Sequence, residues 1–382
     1  MKVLLFGDFS GFHSALKSGL QELGISAKLA GSGDGFKKIP VDVNYYPAEK
    51  WKRNKLLFAG LKQLSVFKKT KELSGFDVVQ FIGPTLFKNS FPNYSWLFNK
   101  YIYRRVMRNN GNVFLVACGS DPVFHHLGKH SLSYNPLDAD HEYRNKKKVV
   151  SEKRIYIEWN KELARSSSLV IPASYEYLVG YKQLNGINLA PIIPMPIMCT
   201  DFKYKPNIIS NNKIRIFHGI SRPGYKGTPL ILKALERIKF DFTDCVDVIV
   251  REKLPLESYL KEVSQSNILV DQCYSYGYGM NALIGLCMGK IVLSGAETEH
   301  LTELNMDSCP VINIRPNIEH IYEQIKKIIL DRKNITNLGK ESRKFVEEHH
   351  DARIIAGKYL DLWQRHGLRT DTRDKYARTT SF

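Results

Sequence analysis

Short apolar runs alternate along the chain with stretches whose apolar residues recur at helical spacing. Ile268 to Val270, for example, is a run of the kind that buried parallel strands use. Near the start of the chain, Leu16, Leu20 and Leu23 recur at helical spacing until Gly24 ends the pattern. This alternation predicts β-α-β units with parallel strands. The predicted strands cover residues 3–6, 26–30, 77–82, 112–118, 169–172, 213–219, 247–251, 268–270, 291–293 and 310–314.

A proline-rich segment, residues 189–197, divides the chain into two halves. Pro191, Pro194 and Pro196 lack a backbone N–H and fix φ, so this segment is expected to be extended. Strand patterning resumes directly beyond it, and 382 residues exceed the size of one ordinary core. The predicted parts are an N-terminal domain over 1–190, a hinge over 191–206, a C-terminal domain over 207–350, a last helix over 351–364 that returns to the N-terminal domain, and a flexible tail over 365–382.

Basic residues outnumber acidic residues by 56 to 38, which gives a formal net charge of +18. An excess of this size favours an anionic partner: nucleic acid, the anionic face of a membrane, or an anionic substrate. The chain has no helix-turn-helix, zinc-finger or RNP-type aromatic signature, so we expect no nucleic-acid partner.

Cysteine spacing and hydropathy exclude several other classes of protein. The six cysteines include no C-x-x-C pair, which argues against a disulfide framework and a zinc site, and we expect no metal ion or cofactor. No run of about eighteen apolar residues occurs, so no segment is expected to span a membrane. The apolar run at the N-terminus is too short for a signal peptide and soon reaches Asp8, so we expect a cytoplasmic protein.

The stretch from residue 50 to 71 contains eight basic residues and no acidic one. Leu57, Leu61, Leu64 and Phe67 recur within it at helical spacing. A basic helix with one apolar face suits the inner leaflet of a membrane, where each basic residue contributes about 1 kcal/mol. A surface helix that packs the same residues on its own sheet would have the same pattern, and both interpretations remain open. On the first, the membrane-facing candidates are Lys52, Arg53, Lys55, Lys68 and Lys69.

Two positions in the N-terminal half follow predicted strands, where open α/β sheets bind ligands. Gly11 lies in the first strand-to-helix loop, whose pattern is not G-x-G-x-x-G, so we expect no dinucleotide site there. Asp121 follows the strand at 112–118. Its carboxylate could face a ligand or could cap a helix beside Pro122, and both interpretations remain open. Residues 131–154 are polar and are expected to form an excursion or solvated surface rather than core.

Arg222 and Lys226 lie in a loop between a predicted strand and a predicted helix. Between them are Pro, Gly and Tyr rather than further charges. A guanidinium fork and an ammonium group set close together suit a diphosphate. We call residues 221–226 the cation loop and interpret it as an anion site, with two solvated surface cations as the alternative.

Gly277 and Gly279 lie in a second loop, between the strand 268–270 and an apolar helix that includes Ala282. We call residues 275–279 the glycine loop. Glycine can take positive φ or let a ligand approach the backbone closely. The free N–H groups and the dipole at the start of the next helix suit an anion such as a diphosphate. A tight turn without a ligand is the alternative.

Four short motifs follow one another in the second half of the chain. They are His218-x3-Arg222-x3-Lys226-Gly227-Thr228, Asp271-Gln272, Tyr276-Gly277-Tyr278-Gly279-Met280-x-Ala282-Leu283, and Gly289-Lys290-x-Val292. In order and spacing they resemble the C-terminal half of the glycosyltransferase family 4 enzymes, over about residues 213–295. The N-terminal half is similar to that family in layout only.

This resemblance implies an α/β fold of the GT-B type, with two Rossmann-like, doubly wound parallel-sheet domains facing a central cleft. It implies a retaining glycosyltransferase that moves a sugar from a nucleotide-sugar donor to a cell-surface polysaccharide, O-antigen or lipid-linked acceptor at the cytoplasmic membrane face. Arg222 and Lys226 would hold the donor diphosphate and stabilise the leaving group, and Asp121 would face the acceptor and the transferred sugar. The implied donor-binding residues are Gly11, His218, Tyr276, Gly277, Tyr278, Gly279, Met280 and Asn281.

The sequence departs from that family at two positions. The family has two glutamates eight positions apart, and the matching positions here hold Tyr276 and Ile284. Neither side chain can accept hydrogen bonds from a ribose diol as a carboxylate does. Glu297 and Glu299 are near enough in sequence to act as substitutes. The alternative is a catalytically silent GT-B protein that binds a glycan or a partner transferase.

Overall fold

The computed structural model describes residues 1–32, 39–46, 61, 64–86, 95–143 and 152–367. Within these ranges a strand is present at each predicted position, and the strands form two separate parallel sheets. Most of the basic stretch, including Lys52, Arg53 and Lys55, lies outside the described residues. So do residues 368–382, for which the sequence predicts a flexible tail.

The first sheet has six strands: β1 Lys2–Phe6, β2 Ser26–Gly31, β3 Val43–Asn44, β4 Val78–Ile82, β5 Asn112–Ala117 and β6 Leu169–Pro172. Their order is β3-β2-β1-β4-β5-β6. Leu4 of β1 lies opposite Lys28 of β2 and Val79 of β4. The strand order reverses beside β1, and such a reversal leaves a crevice at the carboxyl ends of the strands.

Helices cover both faces of this sheet. β1 alternates between them: Val3 and Leu5 pack with Leu16 on one face, while Leu4 and Phe6 belong to the core on the other face. The described helices of this half are Phe12–Glu22, Ser95–Arg108, Pro122–His126, Pro136–Tyr143, Arg154–Ser166 and Tyr175–Lys182.

The second sheet has five parallel strands: β7 Ile214–Ile220, β8 Val246–Glu252, β9 Ile268–Val270, β10 Ile291–Ser294 and β11 Ile312–Asn313. Their order is β11-β10-β9-β7-β8. Phe217 of β7 lies opposite Ile249 of β8 and Leu269 of β9. The strand order reverses between β7 and β9, so the loops that follow these two strands flank the crevice of this sheet.

The helices of the second half also pack on two faces, with Ile216 in one core and Phe217 in the other. They are Pro223–Lys226, Thr228–Asp241, Leu256–Gln265, Met280–Cys287, Thr298–Glu303, Ile318–Leu330 and Ile335–His349. In the part of the chain that the structure describes, each helix is too short or too polar to cross a bilayer.

The last helix, Ala352–Gly367, packs against the first sheet rather than the second. Tyr359 and Trp363 are buried in the core of the first half, and the Trp363 indole N–H donates to Gln80 Oε1 at 3.2 Å. The chain re-enters the first half beside the hinge, where Asp351 pairs with Ile197 in a parallel bridge. Two crossings of the chain therefore join the halves.

Candidate functional site

The cation loop meets the segment that follows β9 and leads into the glycine loop. The two meet at the carboxyl edge of the second sheet, where the strand order reverses between β7 and β9. The backbone N–H of Cys273 donates to the Lys226 carbonyl at 3.1 Å. Gly227 has φ +74°, and a Cβ there would lie 2.3 Å from Cys273 Sγ. Only glycine therefore allows this contact between the two segments.

Asp271, the first residue after β9, connects the predicted donor residues. Its buried carboxylate accepts hydrogen bonds from the Lys226 ammonium group, from Asn281 Nδ2 at 3.2 Å and from Ser294 Oγ at 3.4 Å. Lys226 and Asn281 are thus brought together through Asp271. The charge of Lys226 is balanced by a carboxylate, which the sequence did not predict.

Arg222 is the exposed cation of the cation loop. Its guanidinium group stacks on the ring of Tyr225, 4.3 Å from the ring centroid. Gly224, in the same loop, packs directly against Asp140 and Tyr143 of the first half. Arg222 therefore lies where the two halves meet, with its guanidinium accessible to an anion.

His218 supports the cation loop from inside the second half. Its Nδ1 lies 2.8 Å from the Val270 carbonyl and its Nε2 lies 3.0 Å from Thr228 Oγ1. Because a carbonyl only accepts, Nδ1 carries the proton and Nε2 accepts from the threonine hydroxyl. Burial lowers the pKa of His218 to about 4, so the ring is neutral near pH 7. Both ring nitrogens are engaged within the fold, which makes His218 a link between β7, β9 and the helix that follows the cation loop.

The glycine loop leads into the helix Met280–Cys287, whose first-turn N–H groups have no intrahelical acceptor. A Cβ on Gly279, the residue before this helix, would meet nothing within 4 Å, so the space beside the helix start is open. Tyr278 points away from it, because its buried hydroxyl lies 3.0 Å from His350 Nε2 near the hinge.

Tyr276 is at one of the two positions that the motif resemblance matches to a glutamate. Its ring lies between those of Tyr134, at 4.9 Å, and Tyr175, at 5.5 Å, both from the first half. Its hydroxyl accepts a hydrogen bond from the Ser133 N–H at 3.0 Å. Ile284, at the second glutamate position, packs in the apolar core of the second half. Neither position supplies a carboxylate.

Glu176 brings a carboxylate to the glycine loop from the first half, and the sequence did not reveal it. Its Oε1 accepts hydrogen bonds from Ser275 Oγ and from the backbone N–H groups of Tyr276, at 2.7 Å, and Gly277, at 3.1 Å. Glu176 lies in the first turn of the helix that follows β6. That place, just past the carboxyl end of a parallel strand, is the signal that drew attention to Asp121 and that equally applies to Glu176.

Asp121 caps the helix Pro122–His126. It is fully buried, and its carboxylate accepts from the N–H groups of Val123 and Phe124 at 2.8 and 2.9 Å. Tyr181 Oη and Asn160 Nδ2 donate to the same carboxylate at 2.9 and 3.3 Å. Burial raises the pKa of Asp121 to about 6, against the opposing effect of these hydrogen bonds. Of the two interpretations left open by the sequence, these contacts are those of a cap.

Gly11 precedes the helix Phe12–Glu22 in the loop after β1. It has φ +86°, a conformation that favours glycine, and a Cβ there would meet nothing within 4 Å. The loop therefore leaves open space at the crevice of the first sheet.

Residues 131–154 were predicted to form an excursion or solvated surface rather than core. In the described part of this segment most residues are exposed or half-buried, and three, residues 135–137, are buried. Pro136–Tyr143 forms a helix that packs on the cation loop, and Leu137 is buried. A Cβ on Gly224 would lie 2.6 Å from Tyr143 Cβ and 2.9 Å from Asp140 Cα. Because Gly224 has no side chain, this bridging helix can lie directly against the second half.

Glu297 and Glu299, the suggested substitutes for the missing glutamates, differ in environment. Glu297 accepts two hydrogen bonds from Arg315, at 2.8 and 2.6 Å, and one from the Tyr134 hydroxyl at 2.5 Å. Burial alone would raise the pKa of Glu297, but the hydrogen bonds from Arg315 and Tyr134 outweigh burial and hold the pKa at about 2. Glu299 is exposed. Glu297 is thus engaged in joining the halves.

The described part of the basic stretch exposes two of its apolar residues and buries a third. Residues 64–68 are helical, and Leu64 and Phe67 are 54% and 45% exposed while Val66 is fully buried. Lys68 is exposed, and Lys69 forms an ion pair with Glu72 at 2.7 Å. The packing of this segment on the first half therefore uses Val66, not the stripe that contains Leu64 and Phe67.

The two facing Rossmann-like sheets, with site loops at the reversal of the second sheet, define the GT-B fold, which confirms the predicted fold class. No protein-family model and no curated protein matches the sequence. Solved structures match across nearly the whole chain. Their sequence identities, 10–14%, are so low that the match shows the fold alone.

Three of these structures were solved with UDP or a UDP-sugar bound. HepE of Anabaena, solved with UDP and glucose, has a TM-score of 0.58 and 12% identity over 96% of this chain and 100% of its own. TarM of S. aureus, as a variant with UDP, α-GlcNAc-glycerol and fondaparinux, has a TM-score of 0.61 and 10% identity over 95% and 100%. The UDP-GlcNAc 2-epimerase of Neisseria meningitidis, bound to UDP-GlcNAc, has a TM-score of 0.51 and 13% identity over 96% and 100%.

Proposed function

We propose that this protein is a glycosyltransferase that binds a nucleotide-sugar donor at the crevice of its second sheet. The observation that carries the proposal is the meeting of the cation loop with the segment that leads into the glycine loop, at the reversal between β7 and β9. An exposed guanidinium, a buried lysine and the N-terminus of a helix then lie at one sheet edge. This set of groups suits a diphosphate.

The proposed roles follow from these positions. Arg222 chelates the donor diphosphate, because its guanidinium is exposed and held by stacking on Tyr225. Lys226 and the first-turn N–H groups at Met280 and Asn281 stabilise the negative charge that develops on the leaving diphosphate. Nothing in this assignment requires a metal ion. HepE and TarM, which share the fold, have been solved with UDP, and this supports a nucleotide-linked donor.

The acceptor side of the proposal comes from the resemblance of the motifs. We propose a glycan or lipid-linked acceptor, such as a growing cell-surface polysaccharide or O-antigen, and a retaining reaction. The carboxylate of Asp121 is fully buried, so it does not contact the acceptor directly. We propose that Asp121 contributes to the acceptor side by capping the helix Pro122–His126.

The test is release of nucleoside diphosphate from a panel of UDP-, GDP- and ADP-sugars, with the Arg222→Ala variant compared with wild type. We expect the loss of Arg222 to reduce kcat/KM by at least about tenfold, the effect of losing one charged hydrogen-bond donor at a developing charge. Arg237→Ala is the matched control, because Arg237 is also exposed and stacks on a tyrosine, Tyr322, at 4.1 Å. Undiminished activity in Arg222→Ala would remove Arg222 from the site.

A catalytically silent GT-B protein is the second candidate, and the environment of Tyr276 favours it. The ring of Tyr276 is enclosed by Tyr134 and Tyr175, so this position contributes to closing the cleft and not to holding a ribose. Calorimetry with UDP, GDP and ADP separates the two candidates. A silent protein that binds a glycan or a partner transferase shows no nucleotide binding, whereas the proposed transferase binds one of the three.

We further propose that the protein associates peripherally with an anionic membrane. Four exposed side chains, which we call the apolar patch, adjoin basic residues on the helix Ser95–Arg108 and on residues 64–68. The ring of Phe67 stacks on that of Tyr101 at 6.4 Å, and Arg105 lies 5.8 Å from the centre of the Phe67 ring. The apolar patch consists of Leu64, Phe67, Leu97 and Tyr101, which are 54%, 45%, 55% and 47% exposed.

A further inference from the structure

Glu176 is a buried carboxylate that belongs to the first half and binds the backbone of the second. Only 4% of the residue is exposed. Its Oε1 accepts from Ser275 Oγ and from the N–H groups of Tyr276 and Gly277, while its Oε2 accepts from Ser174 Oγ at 2.5 Å. Four donors thus satisfy two oxygens. In the described part of the chain no lysine or arginine forms an ion pair with this carboxylate, so hydroxyl and N–H dipoles stabilise its charge.

The glycine loop cannot provide such an acceptor itself. No acidic residue occurs between Asp271 and Glu297, and Asp271 is engaged by Lys226 and Asn281. A buried N–H group without a partner is costly, so the conformation of the loop depends on a carboxylate from elsewhere. Glu176 is that carboxylate.

The same turn of helix also holds the loop from a second side. Tyr175, next to Glu176, stacks on Tyr276 at 5.5 Å, and its backbone N–H donates to His300 Nδ1 at 3.4 Å. A Cβ on Gly277 would lie 2.8 Å from the His300 ring, so the loop fits closely between this histidine and the first half. The start of the helix Tyr175–Lys182 therefore shapes the loop that leads into the helix Met280–Cys287.

We propose that Glu176 is a positioning residue for donor binding: from the first half it holds the glycine loop in the form that directs the first-turn N–H groups of the helix Met280–Cys287 toward a nucleoside diphosphate. This inference rests on the proposed function. It makes donor affinity depend on closure of the two halves, because the carboxylate reaches the loop only when the halves are in contact.

The test compares Glu176→Ala and Glu176→Gln with wild type in calorimetric binding of UDP, GDP and ADP, and in KM and kcat for the nucleotide sugar that is turned over. We expect Glu176→Ala to weaken diphosphate binding by about tenfold and to raise KM more than it lowers kcat. Glu176→Gln keeps an oxygen for the two N–H groups, and we expect it to lose less than about threefold. Glu303→Gln is the matched control, since it breaks the ion pair with Lys182 across the same interface, 2.8 Å, without touching the loop.

Amide hydrogen exchange of residues 275–281 provides a readout that needs no nucleotide. We expect exchange at Tyr276 and Gly277 to accelerate at least about tenfold in Glu176→Ala and to stay unchanged in Glu303→Gln. Unchanged exchange in a folded Glu176→Ala protein overturns the inference. So does tighter diphosphate binding, which would mean that the carboxylate competes with the donor for these N–H groups. If wild type binds no nucleotide while exchange still accelerates, the proposed function fails and the role of Glu176 in holding the loop stands.

Discussion

Lys226 and Asp271 form a buried ion pair at the carboxyl edge of the second sheet, with 7% and 1% of their side chains exposed. In a buried ion pair each charge stabilises the other, because either charge alone would be poorly solvated. Asn281 and Ser294 also donate to Asp271, so the pair anchors the helix after the glycine loop and the end of β10 to the cation loop. The ion pair therefore fixes the arrangement of these segments and also balances the charge of Lys226.

Replacing Lys226 alone should destabilise the protein strongly. We expect Lys226→Met to lower the free energy of unfolding by about 3 kcal/mol, because Asp271 would remain buried without its cation. The double variant Lys226→Met with Asp271→Asn should recover at least about half of that loss, since the amide oxygen still accepts from Asn281. Urea unfolding at pH 7 measures both. Lys326→Met is the control: its exposed pair with Glu323 should change stability by less than about 1 kcal/mol. Simple additivity of the two buried substitutions would refute the pairing.

The strands and the position of the site loops could be predicted because local patterns determine them. The apolar runs at 213–219 and 268–270 became β7 and β9, and Asp271 follows β9 in the structure as in the prediction. A glycine turn after each strand was visible in the order of residues alone. The fold class needs little more than this alternation.

Contacts between the halves could not be predicted in the same way. Glu176 and Tyr276 are one hundred positions apart, and their contact depends on how two independently patterned sheets are placed. Tyr134 and Glu297, joined across 163 positions, pose the same difficulty. The segment that contains Tyr134 is polar, and its polarity did not show that some of its residues contact the other half. The sequence also left the role of Asp121 open, since a cap and a ligand-side carboxylate require the same residue at the same place.

Buried histidines should make the protein sensitive to acid. Burial lowers the pKa of His13, His125 and His218 to about 4 and that of His350 to about 3. Between about pH 4 and 6.5 the unfolded chain binds a proton at each, and the folded chain does not. Stability from these groups is therefore present above pH 6.5 and is lost as the pH falls, by about 1.4 kcal/mol per pH unit for each.

Asp121 opposes this trend, because its raised pKa of about 6 gives the folded chain the extra proton between about pH 4 and 6. The histidines outnumber it, so we expect the free energy of unfolding, from urea titrations at pH 7.0, 6.0 and 5.5, to fall by about 4 kcal/mol per pH unit at the steepest point. His13→Gln should reduce that slope by about 1.4 kcal/mol per pH unit, the contribution of one proton. A flat profile would show that these histidines titrate normally.

Membrane association should depend on the apolar patch and on the basic residues beside it. We expect Phe67→Ser combined with Leu97→Ser to reduce the fraction of protein that sediments with phosphatidylglycerol vesicles by at least about fivefold, since two exposed apolar side chains would no longer enter the interface. Phe240→Ser is the matched control, because Phe240 is 85% exposed and belongs to the other half of the chain.

The basic residues should act through charge and not through apolar contact. Replacing exposed Lys68 and Arg108 by Gln should weaken binding to phosphatidylglycerol vesicles by about fivefold per residue at low salt, where each cation near an anionic surface contributes about 1 kcal/mol. Binding to vesicles of phosphatidylcholine should be weak for all variants, and added salt should reduce the difference between wild type and the Gln variants. If the serine and glutamine variants all sediment like wild type, the exposure of Leu64 and Phe67 has another cause, and the helix at 64–68 is only a surface element of the first half.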